Sequence, residues 1–153
     1  MADVQRTLVL IKPDAVQREL IGTVLQRFER KGLKMIGMKL IHLDETILAE
    51  HYSHHVDKPF YQSLVDFMMQ TPVVAIVLEG LNVIEEVRKI VGSTNPREAD
   101  AGTIRADFSM DLAGNIVHAS DTPENANTEV SRFFNEEELF TYELFTDQYH
   151  FGQ

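Results

Sequence analysis

The chain has 153 residues, of which 44% are hydrophobic, so one domain spanning residues 1–153 with a proper core is expected. It contains no cysteine, which excludes disulfides, thiolate metal sites and a thiol nucleophile. A formal net charge of −10 at pH 7 argues against nucleic-acid binding, and neither a membrane-spanning run nor a signal-peptide core is visible, so we expect a cytoplasmic protein.

Apolar patterning predicts alternating strands and helices in the first part of the chain. Continuous apolar runs at 7–11 and 73–78 are typical of buried strands, and a second strand of uncertain register is expected over about 34–43. Asp44 and Asn82 are expected to cap the helices that follow them. Gly32 and Gly92 are expected to end the helices that precede them. Helical spacing predicts four helices. One begins at residue 21, a short one follows Asp44 and runs to residue 52, and two more cover 61–68 and 83–91.

The second part of the chain is less regular. Residues 93–115 show no sustained period, and a loop of this length is usually functional or disordered. A fourth strand is expected at 116–119, followed by a helix with Thr122 as N-cap and Pro123 in its first turn. The aromatic tail, about 141–153, is expected to pack on something, such as another subunit. The element order indicates α/β or α+β and leaves open whether the sheet is parallel.

His118 is the first candidate for chemistry. It follows a short apolar run, is flanked by Asn115, Ser120 and Asp121, and precedes a helix N-terminus, where anions are favoured. An unprotonated imidazole can act as a nucleophile towards phosphorus, and Glu129 on the following helix could reach back to orient it. A histidine beside a loop is often an ordinary polar residue, and Glu129 could equally lie on a solvated helix face.

A phosphate would have to be held by side chains, because the chain has neither a Walker A motif nor a G-x-G-x-x-G loop. Lys12, Arg88 and Arg105 are cations near the ends of predicted elements, and Thr94 could add a hydroxyl donor. Each of them singly is more often a surface residue. A competing hypothesis is a zinc site, since His51, His54 and His55 have helical spacing; a polar helix end explains that pattern more simply.

Several motifs in order along the chain resemble those of nucleoside diphosphate kinases. The resemblance runs from about Thr7 to Phe134. It is carried by IKPD at 11–14, VQR at 16–18, HY at 51–52, KPF at 58–60, GSTNP at 92–96, GTIR at 102–105 and NIVHASD at 115–121. A set of motifs at family spacing is far more specific than any one of them.

The resemblance implies an α+β, ferredoxin-like fold, with a four-stranded antiparallel sheet covered by helices. It implies transfer of the terminal phosphate from a nucleoside triphosphate to a nucleoside diphosphate, by a ping-pong route through a phosphohistidine at His118. A broad base range is expected because stacking reads a face that every base has. Magnesium would arrive on the nucleotide phosphates with few or no protein ligands, and a homohexamer or homotetramer is implied.

The resemblance also assigns site residues. Ser120 and Glu129 match the residues around the nucleophilic ring, and Lys12 and Asn115 match contacts to the ribose 3′-hydroxyl, with Lys12 also near the transferred phosphate. The phosphate-binding set is Tyr52, Arg88, Thr94 and Arg105, and the base-binding pair is Phe60 and Leu112.

The chain departs from the family pattern at four positions. Ala15, Ala106 and Ala119 stand where the family usually has glycine, and Ala119 would be strained if its backbone needed a positive φ. Ala101 replaces a common proline in the long loop. The alternative reading of the whole chain is a non-catalytic, ferredoxin-like nucleotide-binding regulatory module, which would not need His118.

Overall fold

The computed structural model describes residues 3–151. At its centre is a four-stranded antiparallel sheet with the strand order β2-β3-β1-β4. Its strands are β1 (Val4–Ile11), β2 (Lys34–Ile41), β3 (Val73–Leu81) and β4 (Val117–Ala119). The expected α+β, ferredoxin-like architecture is confirmed.

Helices cover both faces of this sheet. They are α1 (Pro13–Gln17), α2 (Ile21–Lys31), α3 (Glu45–His51), α4 (Tyr61–Met68), α5 (Val83–Val91), α6 (Ile104–Phe108), α7 (Pro123–Phe133) and α8 (Asp147–His150), with 3₁₀ turns at Ser53–His55 and Glu136–Glu138. On central β1, Val9 and Ile11 face a core formed with α2 and α5, whereas Leu8 and Leu10 face a core formed with α4 and α7. Burial on both faces explains the unbroken apolar run of β1.

The observed strands and helices differ from the predicted ones where periodicity is short or broken. β2 has a register shift between Met35 and Gly37, which explains its poor alternation, and it ends at Ile41. Residues 93–115 are not all loop, because they contain α6. That helix has five residues, too few to show a helical period, and its cap is Thr103, whose hydroxyl accepts from the Ala106 N–H.

Most of the predicted caps are confirmed. The Asp44 carboxylate accepts from the Ile47 N–H at 2.8 Å, and the Thr122 hydroxyl accepts from the Asn125 N–H at 3.1 Å. Gly32 ends α2 with a left-handed φ of 89°. Asn82 precedes α5, but the expected side-chain cap is wrong: its backbone is left-handed, with φ of 49°, and its side chain makes no capping hydrogen bond.

The C-terminal tail packs on β2 of its own chain. The Phe140 N–H donates to the Ile36 carbonyl at 2.9 Å. The buried Lys34 ammonium donates to the Tyr142 carbonyl and to Asp147, each at 2.7 Å. Phe145 nevertheless remains fully exposed. Residues 152–153 of the tail lie outside the described residues, and both an interface role for the tail and a single domain over 1–153 stay predictions.

No helix within residues 3–151 has both the length and the apolar character needed to cross a bilayer.

Candidate active site

The His118 ring is held by a carboxylate. His118 lies on β4 opposite Leu10 of β1, and its Nε2 is 3.0 and 3.1 Å from the two oxygens of Glu129, one helix further along the chain. The Ser120 hydroxyl donates to Glu129 Oε1 at 2.6 Å and accepts from the Leu8 N–H at 3.3 Å. Because a carboxylate accepts, Nε2 carries a proton, and in the neutral form of the ring the lone pair of Nδ1 is left for chemistry.

Glu129 is ionised in this arrangement. Burial raises the pKa of this carboxyl, but the hydrogen bond and charge of His118, together with the hydrogen bond from Ser120, lower the pKa to about 2. The observed contact therefore confirms that Glu129 reaches back to the histidine and is not on a solvated helix face.

Lys12 and Asn115 form a second part of the site, at the end of β1. Lys12 Nζ donates to Asn115 Oδ1 at 2.7 Å, and Asn115 Nδ2 donates to the Thr94 carbonyl at 3.0 Å. Burial and the charge of Arg105 lower the pKa of Lys12 to about 8, although Asp14 opposes them. The Thr94 side chain is exposed, so its hydroxyl is available to a ligand.

Arg105 is anchored to backbone. It is 4% exposed, and its guanidinium donates to the carbonyls of Gly92 (3.0 Å), Asn115 (3.2 Å) and Val117 (2.7 Å). These bonds use three of its five N–H groups. Burial, followed by the charge of Arg88, lowers its pKa to about 10, so it is charged at neutral pH. Arg88 itself donates to the Ala119 carbonyl at 3.4 Å.

A strained turn precedes His118. Ile116 has φ of 74°, and the Val117 N–H donates across it to the Asn115 carbonyl at 2.9 Å, which defines a γ-turn. The Ile116 N–H donates to Asp14 Oδ2 at 3.1 Å, and its carbonyl accepts from the Lys12 N–H at 2.9 Å. A β-branched residue is an outlier at positive φ, so these contacts must hold the turn. The strain considered for Ala119 is absent there, since neither it nor Ala15 and Ala106 has a positive φ among the described residues.

The predicted base-binding residues are exposed. Phe60, just before α4, is 49% exposed, and Leu112 is 57% exposed, so both have apolar surface available for contact with a ligand. Tyr52 follows α3 and is partly buried; burial and the nearby Glu129 raise its pKa to about 12.

His51 and Arg132 are neighbours of the site that the sequence did not assign to it. The buried His51 ring lies edge-on to His118, with ring centroids 4.7 Å apart, and its Nδ1 accepts from Arg132 Nη1 at 2.9 Å. The signal for His51 was its place in the HY motif at 51–52. Arg132 has no comparable motif signal.

The hypothesis of a zinc site at His51, His54 and His55 is not supported. In the described part of the chain, the one group of three possible ligands comprises His51, His118 and Glu129, with ligand atoms within 4.8 Å of one another. His51 Nδ1 already accepts from a guanidinium, and Glu129 is bonded to His118 and Ser120. The atoms that a metal ion would need are therefore already engaged in hydrogen bonds.

Known proteins resemble this chain over most of its length. The family model described as nucleoside diphosphate kinase matches residues 5–139. The chain belongs to the nucleoside diphosphate kinase family. A relative of that name from Methanobrevibacter smithii is 50% identical over 141 residues, which is 92% of this chain and 94% of the relative.

Solved structures of the family have the same fold. One from Halobacterium salinarum, in complex with CDP, has a TM-score of 0.92 at 41% identity and covers 96% of this chain and 98% of its own. Another, from Borrelia burgdorferi, is a transition-state mimic with bound vanadate and ADP; its TM-score is 0.89 at 38% identity, with 96% of each chain covered. Our chain is thus a phosphotransferase that moves the terminal phosphate of a nucleoside triphosphate to a nucleoside diphosphate, by a ping-pong route through phosphohistidine. A non-catalytic binding module is not favoured.

Proposed function

We propose that Nδ1 of His118 carries the phosphoryl group. Nδ1 attacks the terminal phosphorus of the triphosphate; the phosphorus–nitrogen bond forms as the bond to the bridging oxygen breaks, and the diphosphate leaves. A second diphosphate then attacks phosphohistidine, and the phosphorus–nitrogen bond breaks. The observation that supports this proposal is the hydrogen bond of Nε2 to Glu129, because it fixes the ring and leaves the other nitrogen, Nδ1, for the attack.

Ser120 and Glu129 act as positioning residues in this scheme. Glu129 stabilises the ring as it gains positive character during attack, because an ionised carboxylate accepts its Nε2 proton. Ser120 holds the carboxylate in place through its 2.6 Å hydrogen bond.

The remaining assigned residues bind the nucleotide. Lys12 and Arg105 supply positive charge, with Arg88 beside them, to stabilise the phosphoryl group in transfer. The guanidinium of Arg105 is held by three hydrogen bonds to carbonyls, so it is already oriented when the phosphate binds. The other phosphate and ribose contacts are assigned to Tyr52, Thr94 and Asn115, and the base is stacked between Phe60 and Leu112, which accounts for a broad base range.

Magnesium would be carried by the nucleotide. The site presents the cations Lys12, Arg88 and Arg105, and the oxygens of Glu129 are already bonded to His118 and Ser120, so the donor set fits an ion held by phosphates. When bound, magnesium neutralises phosphate charge. A homohexamer or homotetramer is proposed for the assembly, and the cytoplasmic location stays a prediction.

The test is transfer of labelled phosphate. The protein is incubated with magnesium and terminally labelled ATP, then chased with an unlabelled nucleoside diphosphate. We expect acid-labile, base-stable label on His118 that moves to the diphosphate. His118→Gln should take up no label while still binding ADP, and His42→Gln, at an exposed histidine, is the matched control. Normal labelling of His118→Gln would refute the assignment.

A further inference from the structure

Helix α7 carries two opposite charges at a helical spacing that allows an ion pair, but the two side chains do not form one. Glu129 and Arg132 are three residues apart on this helix, a spacing at which acidic and basic side chains meet. Arg132 instead directs Nη1 to His51 Nδ1 at 2.9 Å, and its Nε lies 3.6 Å from Glu50. Glu129 uses its oxygens for His118 and Ser120. A third residue, His51, therefore accepts the hydrogen bond that the guanidinium does not make to Glu129.

His51 is suited to this because it is an uncharged acceptor. Its side chain is buried against the rings of Tyr52, His118 and Phe133. Burial, followed by His118 and Arg132, lowers its pKa to about 3 although the charge of Glu129 opposes them, so at neutral pH its Nδ1 has a free lone pair. Nδ1 is also only 3.9 Å from Glu129 Oε2, so the ring that accepts from the guanidinium lies beside the carboxylate.

We propose that His51 is a positioning residue which holds the guanidinium of Arg132 and so prevents that cation from taking Glu129 away from His118. A charge-assisted arginine–carboxylate bond is stronger than the bond of a carboxylate to a neutral imidazole. Without His51, Arg132 would pair with Glu129, and the His118 ring would lose the acceptor that orients it. The inference rests on the proposed role of His118 and extends it to two further residues.

A simpler alternative is that His51 only packs against His118. The two possibilities differ in what happens when Arg132 is also removed. If His51 only packs, removing Arg132 as well will not restore the phosphorylation rate. If His51 keeps Arg132 away from Glu129, removing the guanidinium will restore that rate.

The experiment measures the single-turnover rate of His118 phosphorylation and the ADP dissociation constant of His51→Leu, Arg132→Met and the double variant. We expect His51→Leu to slow phosphorylation by about tenfold or more, the loss of one oriented hydrogen bond, with little change in ADP affinity. The double variant should recover most of the rate, although its melting temperature does not recover. A double variant as slow as His51→Leu, or a normal rate for His51→Leu, would overturn the proposal.

A second pair of variants covers the case in which His51→Leu does not fold. His51→Asn keeps an acceptor close to the position of Nδ1, and His51→Gln places it one bond further out. We expect the Asn variant to be the faster of the two; equal rates would contradict the role of the acceptor. Failure of the proposed function itself is distinguishable, because wild-type protein would then carry no label on His118.

Discussion

Lys12 shows how the protein sets the charge of a single residue. Its ammonium is partly buried beside Asn115 and lies within the field of Arg105, and the two effects lower its pKa to about 8. A phosphate favours the charged form, since opposite charges attract. At neutral pH most of the free protein carries the charge, but a rise of one or two pH units removes it.

We therefore predict that ADP affinity falls as pH rises through about 8. Only protonated Lys12 attracts the phosphates, so binding is coupled to proton uptake above this pKa, and the dissociation constant should rise by up to about tenfold per pH unit. Calorimetry above pH 7.5 measures this. Lys12→Met should bind more weakly and lose the dependence; an unchanged pH profile in that variant would assign the titration to another group.

At the scale of elements, the sequence predicted those strands and helix caps that have a recognisable local sequence pattern. The strands at 7–11 and 73–78, the cap at Thr122 and the positions of the motifs were all visible. Helix α6 was not, because five residues hold little more than one turn, and the β2 register was hidden by its shift.

The anchoring of Arg105 could not be predicted either. Its partners are backbone carbonyls of residues 92, 115 and 117. Every residue has such a carbonyl, so the sequence does not indicate which ones accept hydrogen bonds. The same holds for Arg132 and His51, which are 81 positions apart and meet only in the folded chain.

The junction between α5 and α6 gives a prediction at this scale. Gly92 has φ of 89°, and a Cβ there would lie 2.5 Å from Thr103 Oγ1, the cap of the helix that carries Arg105. Gly92→Ala should therefore lower the free energy of unfolding by at least about 1 kcal/mol and weaken ADP binding. Denaturant unfolding and calorimetry check this.

Gly22→Ala is the matched control for that variant. Gly22 lies in α2, and a Cβ at this position would have no neighbouring atom within 4 Å. The substitution should therefore add about 0.5–1 kcal/mol of stability, because alanine is the better helix former. If Gly92→Ala proves as harmless as Gly22→Ala, the junction is not under the constraint described above.

At the scale of the whole molecule, the acidic exterior and the tail are the main features. A net charge of −10 surrounds a site whose cations lie just after β1 and on α5 and α6. The tail is tied to β2 through Lys34, yet Phe145 is 101% and Tyr149 76% exposed. Exposed aromatic rings on an ordered segment are typical of an interaction surface.

We predict that a chain ending at Phe140 assembles differently but still phosphorylates His118. The tail is tied to β2 at Lys34, whereas the proposed phosphorylation uses His118 and Glu129. Light scattering measures the mass and the labelling assay the chemistry. Phe145→Ser keeps the Lys34–Asp147 ion pair and removes only an exposed ring. It therefore distinguishes loss of a subunit contact from loss of the attachment of the tail to β2. An unchanged mass for the truncated chain would count against the interface.

The γ-turn at Ile116 has a consequence for the order of folding. Its partners, Asp14 and the Lys12 N–H, lie about a hundred residues earlier in the chain, and the turn is unfavourable without them. It therefore cannot act as a nucleus and must form after β1 and β4 have paired. A chain can thus regain its sheet before it regains its active site, so recovered activity during refolding should lag behind recovered secondary structure.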